Sequence, residues 1–228
     1  MKYLLPIVLT AACVVMDHWF LLEMDREHHA KAAGLKAVTS LCFLLVGFWF
    51  AFAFAPAGGR KTLVAIALLL GLAGDVLLAL RFVFTEKFDL MFLLGGLSFA
   101  AGHVLYLIYL LGRDGKAWLP GIAFWIAGLA ICAFFALKFK ADAGPMQIPG
   151  YGYMALVFAM GAIACGAAVR SFGTSQILFA LGGILFAVSD TILAIHCFGT
   201  ARQMVYNRWV HYTYYAAQLL IAWSLAFV

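Results

Sequence analysis

Long apolar runs separated by short polar connections make up the whole chain. A membrane-spanning helix needs about 20 mostly apolar residues. This criterion predicts eight spans, near residues 3–22, 36–55, 62–81, 89–111, 118–138, 151–169, 175–197 and 208–228. No stretch remains for a soluble domain, so we expect an all-α, polytopic membrane bundle that forms one integral membrane domain over residues 1–228. The longest polar segment, residues 23–31, is expected to be a solvated loop or a helix extension, with His28 and His29 exposed.

Composition supports a membrane location. Hydrophobic residues make up 66% of the chain and charged residues 11%, whereas soluble proteins average roughly 45–50% and about 25%. We expect an integral protein of the bacterial inner membrane. The net charge of +5 is spread over short loops, which suits anionic lipid headgroups and gives no support for a nucleic-acid partner. The pattern sets neither the orientation in the membrane nor the oligomeric state.

Two spans each contain one aspartate. Asp75 lies in LGLAGDVLLALRF (residues 70–82) and Asp190 in GGILFAVSDTILAIHC (residues 182–197), at an offset of 115 residues. A charged residue at the centre of a span costs from about 2.5 to above 10 kcal/mol, so each acid is a candidate functional residue. The segment FAAGH (99–103) falls on YYAAQ (214–218) at the same offset. The matches predict a 4+4 internal repeat of the parallel type, with both halves crossing the membrane in the same direction.

The two aspartates are expected at one depth, because their spans run in the same direction and each acid lies about two-thirds of the way along. A helical rise of 1.5 Å per residue lets both line a cavity that opens toward one surface. Cationic side chains near that surface suit a lipid phosphate. The polar side chains expected around this cavity are Lys36, Arg81 and Arg208 at its rim, His211 nearby, and His103, Tyr106, Tyr214, Tyr215 and Gln218 deeper.

Two carboxylates at close range do not both ionise readily, so one can hold a proton while the other is charged. This division suits hydrolysis by acid–base catalysis. The structural alternative is that each aspartate only forms a hydrogen bond to a neighbouring helix. His103 could likewise only join helices, and the tyrosines could be packing aromatics. The five cysteines lie in apolar segments without a CxxC pair, so the sequence signals neither a disulfide framework nor a thiolate metal site.

The order of these motifs resembles the YhhN family, the membrane lysoplasmalogenases. The resemblance covers nearly the whole chain and rests on Lys36, Gly74-Asp75 with Leu77-Leu78, Gly102-His103 with Tyr106, Ser189-Asp190, and Tyr214, Tyr215 and Gln218. One departure is Lys36-Ala37-Val38, where Lys-Pro-Leu is expected.

The resemblance implies hydrolysis of the vinyl ether of a lysoplasmalogen to a fatty aldehyde and glycerophospho-ethanolamine or glycerophospho-choline, without a metal or other cofactor. It implies Asp75 and Asp190 as the catalytic pair. The phosphate contacts would be Lys36, Arg81 and Arg208, and His103 and Gln218 would orient water or a carboxylate. The remaining substrate-binding residues would be Tyr106, His211, Tyr214 and Tyr215.

Three other functions stay open at this point. An intramembrane aspartyl protease also uses two acids on neighbouring spans, but its YD and GxGD motifs are replaced here by LAGD and VSD. A zinc-dependent lipid amidase could use Asp75, Asp190, His103, His196 and His211 as ligands, although no spacing motif joins them. A proton-coupled lipid transporter would enclose a midplane site between repeated halves.

Overall fold

The computed structural model describes residues 2–53, 59–200 and 204–228, with the backbone alone for residues 204–207. Within these ranges the secondary structure is helical, and no strand is present, as predicted. The eight α-helices are α1 (Leu4–Asp25), α2 (His29–Phe52), α3 (Lys61–Leu80), α4 (Phe88–Arg113), α5 (Trp118–Lys138), α6 (Gln147–Ser171), α7 (Thr174–Phe198) and α8 (Met204–Ser224). Short 3₁₀ helices lie at Thr85–Lys87, Gly144–Met146 and Leu225–Phe227.

Seven of the described helices, α1 to α7, are long and apolar enough to cross a membrane. The helix is the expected form for such segments, because hydrocarbon offers no partner for backbone N–H and C=O groups and a helix satisfies them internally. The eighth predicted span corresponds to α8, which has 21 residues and contains Arg208, His211 and Gln218. It is not among the seven, so its membrane crossing stays a prediction.

The connection between α1 and α2 was predicted as a solvated loop or a helix extension. Helix α1 continues to Asp25 and α2 begins at His29, so most of this segment is a helix extension. Glu23 is buried, with 1% of its side chain exposed, and accepts hydrogen bonds from the side chains of Trp19, Arg26 and Lys31 while His28 lies 2.8 Å away. The expected helix extension is therefore confirmed, and four nearby side chains compensate the burial of the Glu23 carboxylate.

The two histidines of this connection have different environments. The side chain of His28 is 61% exposed, as expected. His29 is half-buried, and its ring stacks on that of Phe82 at a centroid distance of 5.8 Å. The expectation of an exposed His29 is wrong, since its imidazole covers an aromatic ring that follows α3.

The helices group into two compact units, Met1–Tyr106 and Leu107–Val228, and the boundary falls within α4. In the first unit α2 packs against both α1 and α3. In the second unit α5, α6, α7 and α8 pack as consecutive neighbours.

Small residues allow a close helix crossing in the second unit. A Cβ atom placed on Gly183 of α7 would lie 2.8 Å from the Cα of Gly161 on α6, and one on Gly161 would lie 3.0 Å from the Gly183 carbonyl oxygen. Only glycine allows this approach, as is common where membrane helices pack. Helix α5 is different, because Gly121 is its single buried residue and its large apolar side chains face outward.

Candidate functional site

Asp75 is the centre of a buried polar cluster in the first unit, which we call the Asp75 cluster: Lys36, Ser40 and Asp75. The Nζ atom of Lys36 lies 3.1 Å from Oδ1 of Asp75. The Ser40 hydroxyl donates a 2.6 Å hydrogen bond to Oδ2. Asp75 is 2% exposed and Ser40 is fully buried. Both oxygens of the carboxylate therefore have a donor.

The helix register explains how α2 supplies both donors. Lys36 and Ser40 are four residues apart, which places them on one face of α2. The sequence placed Lys36 at the start of its span. Because α2 begins at His29, Lys36 instead lies well inside the helix. Its ammonium also lies 5.2 Å from the ring centroid of Phe20 on α1. The aliphatic stem and charge of Lys36 are thus enclosed by three helices.

The glycine before Asp75 allows α4 to pack closely. A Cβ atom on Gly74 would lie 2.7 Å from the ring of Phe99. The backbone carbonyl of Phe99 lies 2.8 Å from Nδ1 of His103, and the edge of the Tyr106 ring packs against the His103 ring at 6.1 Å. His103 and Tyr106 are each 1% exposed. The structure thus joins Gly74 to the predicted residues of α4 through one phenylalanine.

Asp190 has its own partner in the second unit. Oη of Tyr153, on α6, lies 2.6 Å from Oδ2 of Asp190. Asp190 is 7% exposed and Tyr153 is half-buried. The neighbouring Ser189 donates to the backbone carbonyl of Val210 on α8 at 2.9 Å. The Ser189-Asp190 pair therefore links α7 to a helix on each side.

The predicted residues of α8 form a buried layer beside α7. Tyr214 packs edge-on against Phe186 of α7 at 5.4 Å and accepts a 3.0 Å hydrogen bond from the amide of Gln218. Tyr215 contacts the rings of both Tyr214, at 5.0 Å, and His211, at 6.1 Å. The contacts bring His211, Tyr214, Tyr215 and Gln218 into one continuous cluster.

The two predicted phosphate-binding arginines have different surroundings. Arg81 follows the last residue of α3, and its guanidinium lies 4.7, 5.2 and 5.2 Å from the ring centroids of Phe82, Phe88 and Phe92. These cation–π contacts hold the side chain while leaving it half-buried. Arg208 is exposed near the start of α8. Both arginines lie near helix ends.

The structure thus brings Lys36 to Asp75 and joins the α8 residues to one another. Asp75 belongs to the first unit and Asp190 to the second, and the proximity of the two carboxylates stays a prediction. Sequence reasoning missed Ser40 and Tyr153. Ser40 has a signal, since it lies one turn from Lys36. Tyr153 has none, because an offset of 115 from Lys36 and Ser40 leads to positions 151 and 155, which lie on another face of α6.

A cavity of about 240 Å³ lies elsewhere in the second unit, at the ends of α4 and α6 and the start of α7, and it does not include Asp190. Arg113 in its lining donates 2.9 Å hydrogen bonds to the hydroxyls of Tyr109 and Ser175. Asp114 accepts from Arg170 at 2.6 Å, and this hydrogen bond holds the pKa of Asp114 below its usual value. Because these polar groups bind one another, we interpret the cavity as part of the helix-end packing.

Apolar helices of spanning length and a buried, hydrogen-bonded aspartate in each compact unit define a polytopic membrane protein with acidic sites inside its helices. The model of the YhhN family matches residues 31–225. Since this range is most of the chain, the chain belongs to the YhhN family, as the motif order predicted. Comparison with the curated proteins and with the solved structures gives no significant match.

Proposed function

We propose that this chain is a lysoplasmalogenase. It would hydrolyse the vinyl ether of alkenyl-glycerophosphoethanolamine or alkenyl-glycerophosphocholine to a fatty aldehyde and the glycerophospho-alcohol. The observation that carries the proposal is that Asp75 and Asp190 of a YhhN chain are buried and are each bound by a side chain of the helix that precedes their own. An aspartate inside a membrane-spanning helix raises the free energy of membrane insertion, and such residues are functional more often than structural.

The chemistry of a vinyl ether suits two carboxyl groups. Protonation of the alkenyl carbon generates an oxocarbenium ion, which water attacks to give a hemiacetal that collapses to aldehyde and alcohol. A protonated aspartate can deliver the proton, and an ionised one can stabilise the cation and activate the water. We assign these steps to Asp75 and Asp190, and no metal or other cofactor is part of the proposal.

The headgroup phosphate is assigned to Arg81 and Arg208. Lys36 was the third candidate from the sequence, but its contact with Asp75 supports a different role. We propose that Lys36 fixes and neutralises the Asp75 carboxylate. Its place in the phosphate site is therefore not kept. The alkenyl chain would lie among the apolar helices, and His103, Tyr106 and the residues of the α8 cluster stay candidate substrate contacts.

We also propose that the chain lies in a bacterial inner membrane and that its two halves arose by an internal 4+4 duplication. The duplication is supported by the way each aspartate is bound. Asp75 takes its donors from positions 36 and 40 on α2, and Asp190 from position 153 on α6. In both units the helix that precedes the aspartate supplies its partner. A duplicated helix pair would supply two acids with similar settings.

The test is release of fatty aldehyde from a synthetic lysoplasmalogen by the purified protein in detergent. We expect release by the wild type, and losses of about 10²- to 10⁴-fold or more in Asp75→Asn and Asp190→Asn, the range for general acid–base groups. Asp89→Asn is the matched control, because Asp89 is an exposed aspartate near the start of α4. Melting temperatures of all variants report whether the fold is kept.

Other outcomes identify the alternatives. Full activity in either folded asparagine variant would remove the two-acid mechanism. Inhibition by a chelator that zinc reverses would support the lipid amidase. Cleavage of a membrane-spanning peptide without aldehyde release would support the protease, and proton-dependent lipid uptake into vesicles would support the transporter.

A further inference from the structure

Tyr153 is a polar partner of Asp190 whose position is fixed by the α6–α7 crossing. Gly161 and Gly183 form a close contact of these two helices, since a Cβ atom on Gly183 would lie 2.8 Å from the Cα of Gly161. Tyr153 lies eight residues before Gly161, and Asp190 lies seven residues after Gly183. At 1.5 Å per residue these spacings are about 12 and about 10.5 Å along consecutive, antiparallel helices. The glycine contact therefore brings the phenol and the carboxyl to the same level, where they are 2.6 Å apart.

The partners of the two aspartates differ in what they can do in a proton transfer. The Lys36 ammonium beside Asp75 has donors only, so it favours a carboxylate that stays an acceptor. The Tyr153 hydroxyl beside Asp190 can donate to a carboxylate or accept from a carboxylic acid. Asp75 also accepts a hydrogen bond from the Ser40 hydroxyl, so the two settings differ in the Lys36 ammonium, which favours the ionised form of Asp75. The Tyr153 contact accommodates both protonation states of Asp190 without rearrangement.

We propose that Asp190 is the proton donor of the hydrolysis and that Tyr153 is its positioning residue. This inference rests on the proposed function. Asp190 gives its proton to the alkenyl carbon, and the C=C electron pair becomes the new C–H bond. The resulting oxocarbenium ion takes the oxygen of a water molecule, and the proton that this water loses restores the carboxyl group. The hemiacetal hydroxyl proton ends on the departing glycerol oxygen as the C–O bond breaks.

In this scheme the hydrogen bond from Tyr153 to Asp190 stabilises the transition state. As the proton leaves, negative charge develops on Asp190, and a hydrogen bond from a neutral donor to a charged acceptor is stronger than one to a neutral acceptor. The Tyr153 bond therefore strengthens along the reaction, and interactions that strengthen in the transition state raise kcat. Hydrogen bonds to charged groups have a strength that corresponds to about a 10- to 100-fold change in rate.

The first experiment compares Tyr153→Phe with Tyr151→Phe in the aldehyde assay. Tyr151 lies on the same helix, is exposed, and its hydroxyl accepts from Gln147 and not from an acid. We expect Tyr153→Phe to lower kcat about 10- to 100-fold with little change in KM, and Tyr151→Phe to keep both values. A kcat for Tyr153→Phe equal to that of the wild type would overturn the inference.

The second experiment separates positioning of Asp190 from a general packing effect. Asp190→Glu moves the carboxyl group away from the phenol, so Tyr153→Phe should cost less in this background than in the wild type. The same fold-loss in both backgrounds would mean that Tyr153 does not act through Asp190. Rescue of Tyr153→Phe by raised substrate concentration would also contradict the inference, because it would indicate substrate binding.

A readout without turnover distinguishes this inference from the proposed function. The infrared difference between wild type and Asp190→Asn isolates the carboxyl or carboxylate stretch of Asp190. We expect Tyr153→Phe to shift this band and Tyr151→Phe to leave it unchanged. If the wild type released no aldehyde, the proposed function would fail while a shifted band would still support the hydrogen bond. An unshifted band would overturn the role of Tyr153 even in an active protein.

Discussion

Lys36 and Asp75 form a buried ion pair in the first unit. The side chain of Lys36 is 10% exposed and that of Asp75 is 2% exposed. Each ion loses hydration on burial, and its partner, the Ser40 hydroxyl beside Asp75 and the Phe20 ring beside Lys36 compensate part of this loss. The two charges are therefore expected to behave as one unit, in which removal of either ion leaves the other uncompensated.

Replacement of Lys36 by methionine tests this coupling. Lys36→Met keeps the side-chain length but removes the charge, and we expect a loss of about 3–5 kcal/mol in the free energy of unfolding, the usual cost of breaking a buried pair. Lys36→Met combined with Asp75→Asn removes both charges and should be more stable than Lys36→Met alone. Melting temperatures in detergent give the comparison.

The control for this cycle is Lys87→Met, since Lys87 is exposed on the short helix before α4. It should change the melting temperature little, alone or together with Asp75→Asn. If Lys36→Met and Asp75→Asn had simply additive effects, the two side chains would not be coupled in the folded protein, and the proposed role of Lys36 beside Asp75 would fail.

The α6–α7 helix pair depends on glycine at its crossing. A Cβ atom on Gly183 would lie 2.8 Å from the backbone of Gly161, so Gly183→Ala must separate the helices. We expect a loss of about 1–3 kcal/mol, as for other overpacked sites. Gly152 on α6 has no atom within 4 Å of its Cβ position, and Gly152→Ala should be neutral or stabilising by up to about 1 kcal/mol. Opposite signs in thermal unfolding would support the crossing, and equal effects would contradict it.

The connection from α4 to α5 is tied to the end of α6 by one ion pair. Arg170 donates to Asp114 at 2.6 Å, and this bond lowers the pKa of Asp114 from its ordinary value of 3.8. A lowered folded pKa means that the stabilisation is present above pH 3.8 and is lost as the pH falls through the folded value. Since both side chains are partly exposed, the pair should contribute no more than about 1 kcal/mol.

Arg170→Gln tests this pH dependence. The variant should melt below the wild type at neutral pH, and the difference should shrink at pH values below 3.8 as Asp114 becomes protonated. Lys87→Gln removes an exposed charge elsewhere and should give no such trend. A melting difference that is constant between neutral and acidic pH would mean that Arg170 acts through packing and not through the Asp114 charge.

The helices themselves were predictable, because each apolar run is long enough to define one element. Their ends were less so, and α2 shows why. The apolar criterion excluded residues 29–35 and placed Lys36 at the start of the span, whereas α2 begins at His29. Hydropathy assigns a fixed cost to His29 and Lys31, and it cannot register that Glu23 on α1 binds the Lys31 ammonium.

The candidate site was predictable to the same degree. Asp75 and Asp190 stand out, because carboxylates are expensive in apolar helices. Their partners do not stand out, because an isolated serine or tyrosine in a span costs little and is common as a packing residue. Ser40 and Tyr153 gain meaning only from the helix crossings that bring them to the acids. Such crossings depend on the contact of two surfaces, which a single apolar pattern does not specify.

At the scale of the whole molecule, equivalent crossings occur in the two units. Gly102 on α4 faces the backbone oxygen of Ala67 on α3, at 3.2 Å from its Cβ position. Gly182 on α7 faces the backbone oxygen of Ala217 on α8, at 2.9 Å. Positions 67 and 102 fall on 182 and 217 at the offset of 115. Each crossing thus pairs one glycine with one alanine, but the glycine is on the second helix in one unit and on the first helix in the other.

This exchange yields a prediction that depends on the duplication. Gly182→Ala alone should be destabilising by about 1–3 kcal/mol, because its Cβ would lie 2.9 Å from the Ala217 oxygen and 2.7 Å from the side chain of Ile221. Adding Ala217→Gly recreates the arrangement of Ala67 and Gly102 in the first unit. We expect the double variant to melt above Gly182→Ala, although an independent Ala→Gly change within a helix would cost about a further 1 kcal/mol.

Gly182→Ala combined with Ala222→Gly is the matched control, since Ala222 is also a buried alanine on α8 but is not offset-equivalent to Gly102. Its two effects should add, so that it melts below Gly182→Ala. Recovery of stability by Ala217→Gly but not by Ala222→Gly would support a common origin of the two crossings. The arrangement found in the first unit would then be tolerated in the second. If both double variants melted below Gly182→Ala, the matched offsets would be a coincidence of small residues in apolar helices, and the proposed duplication would lose its structural support.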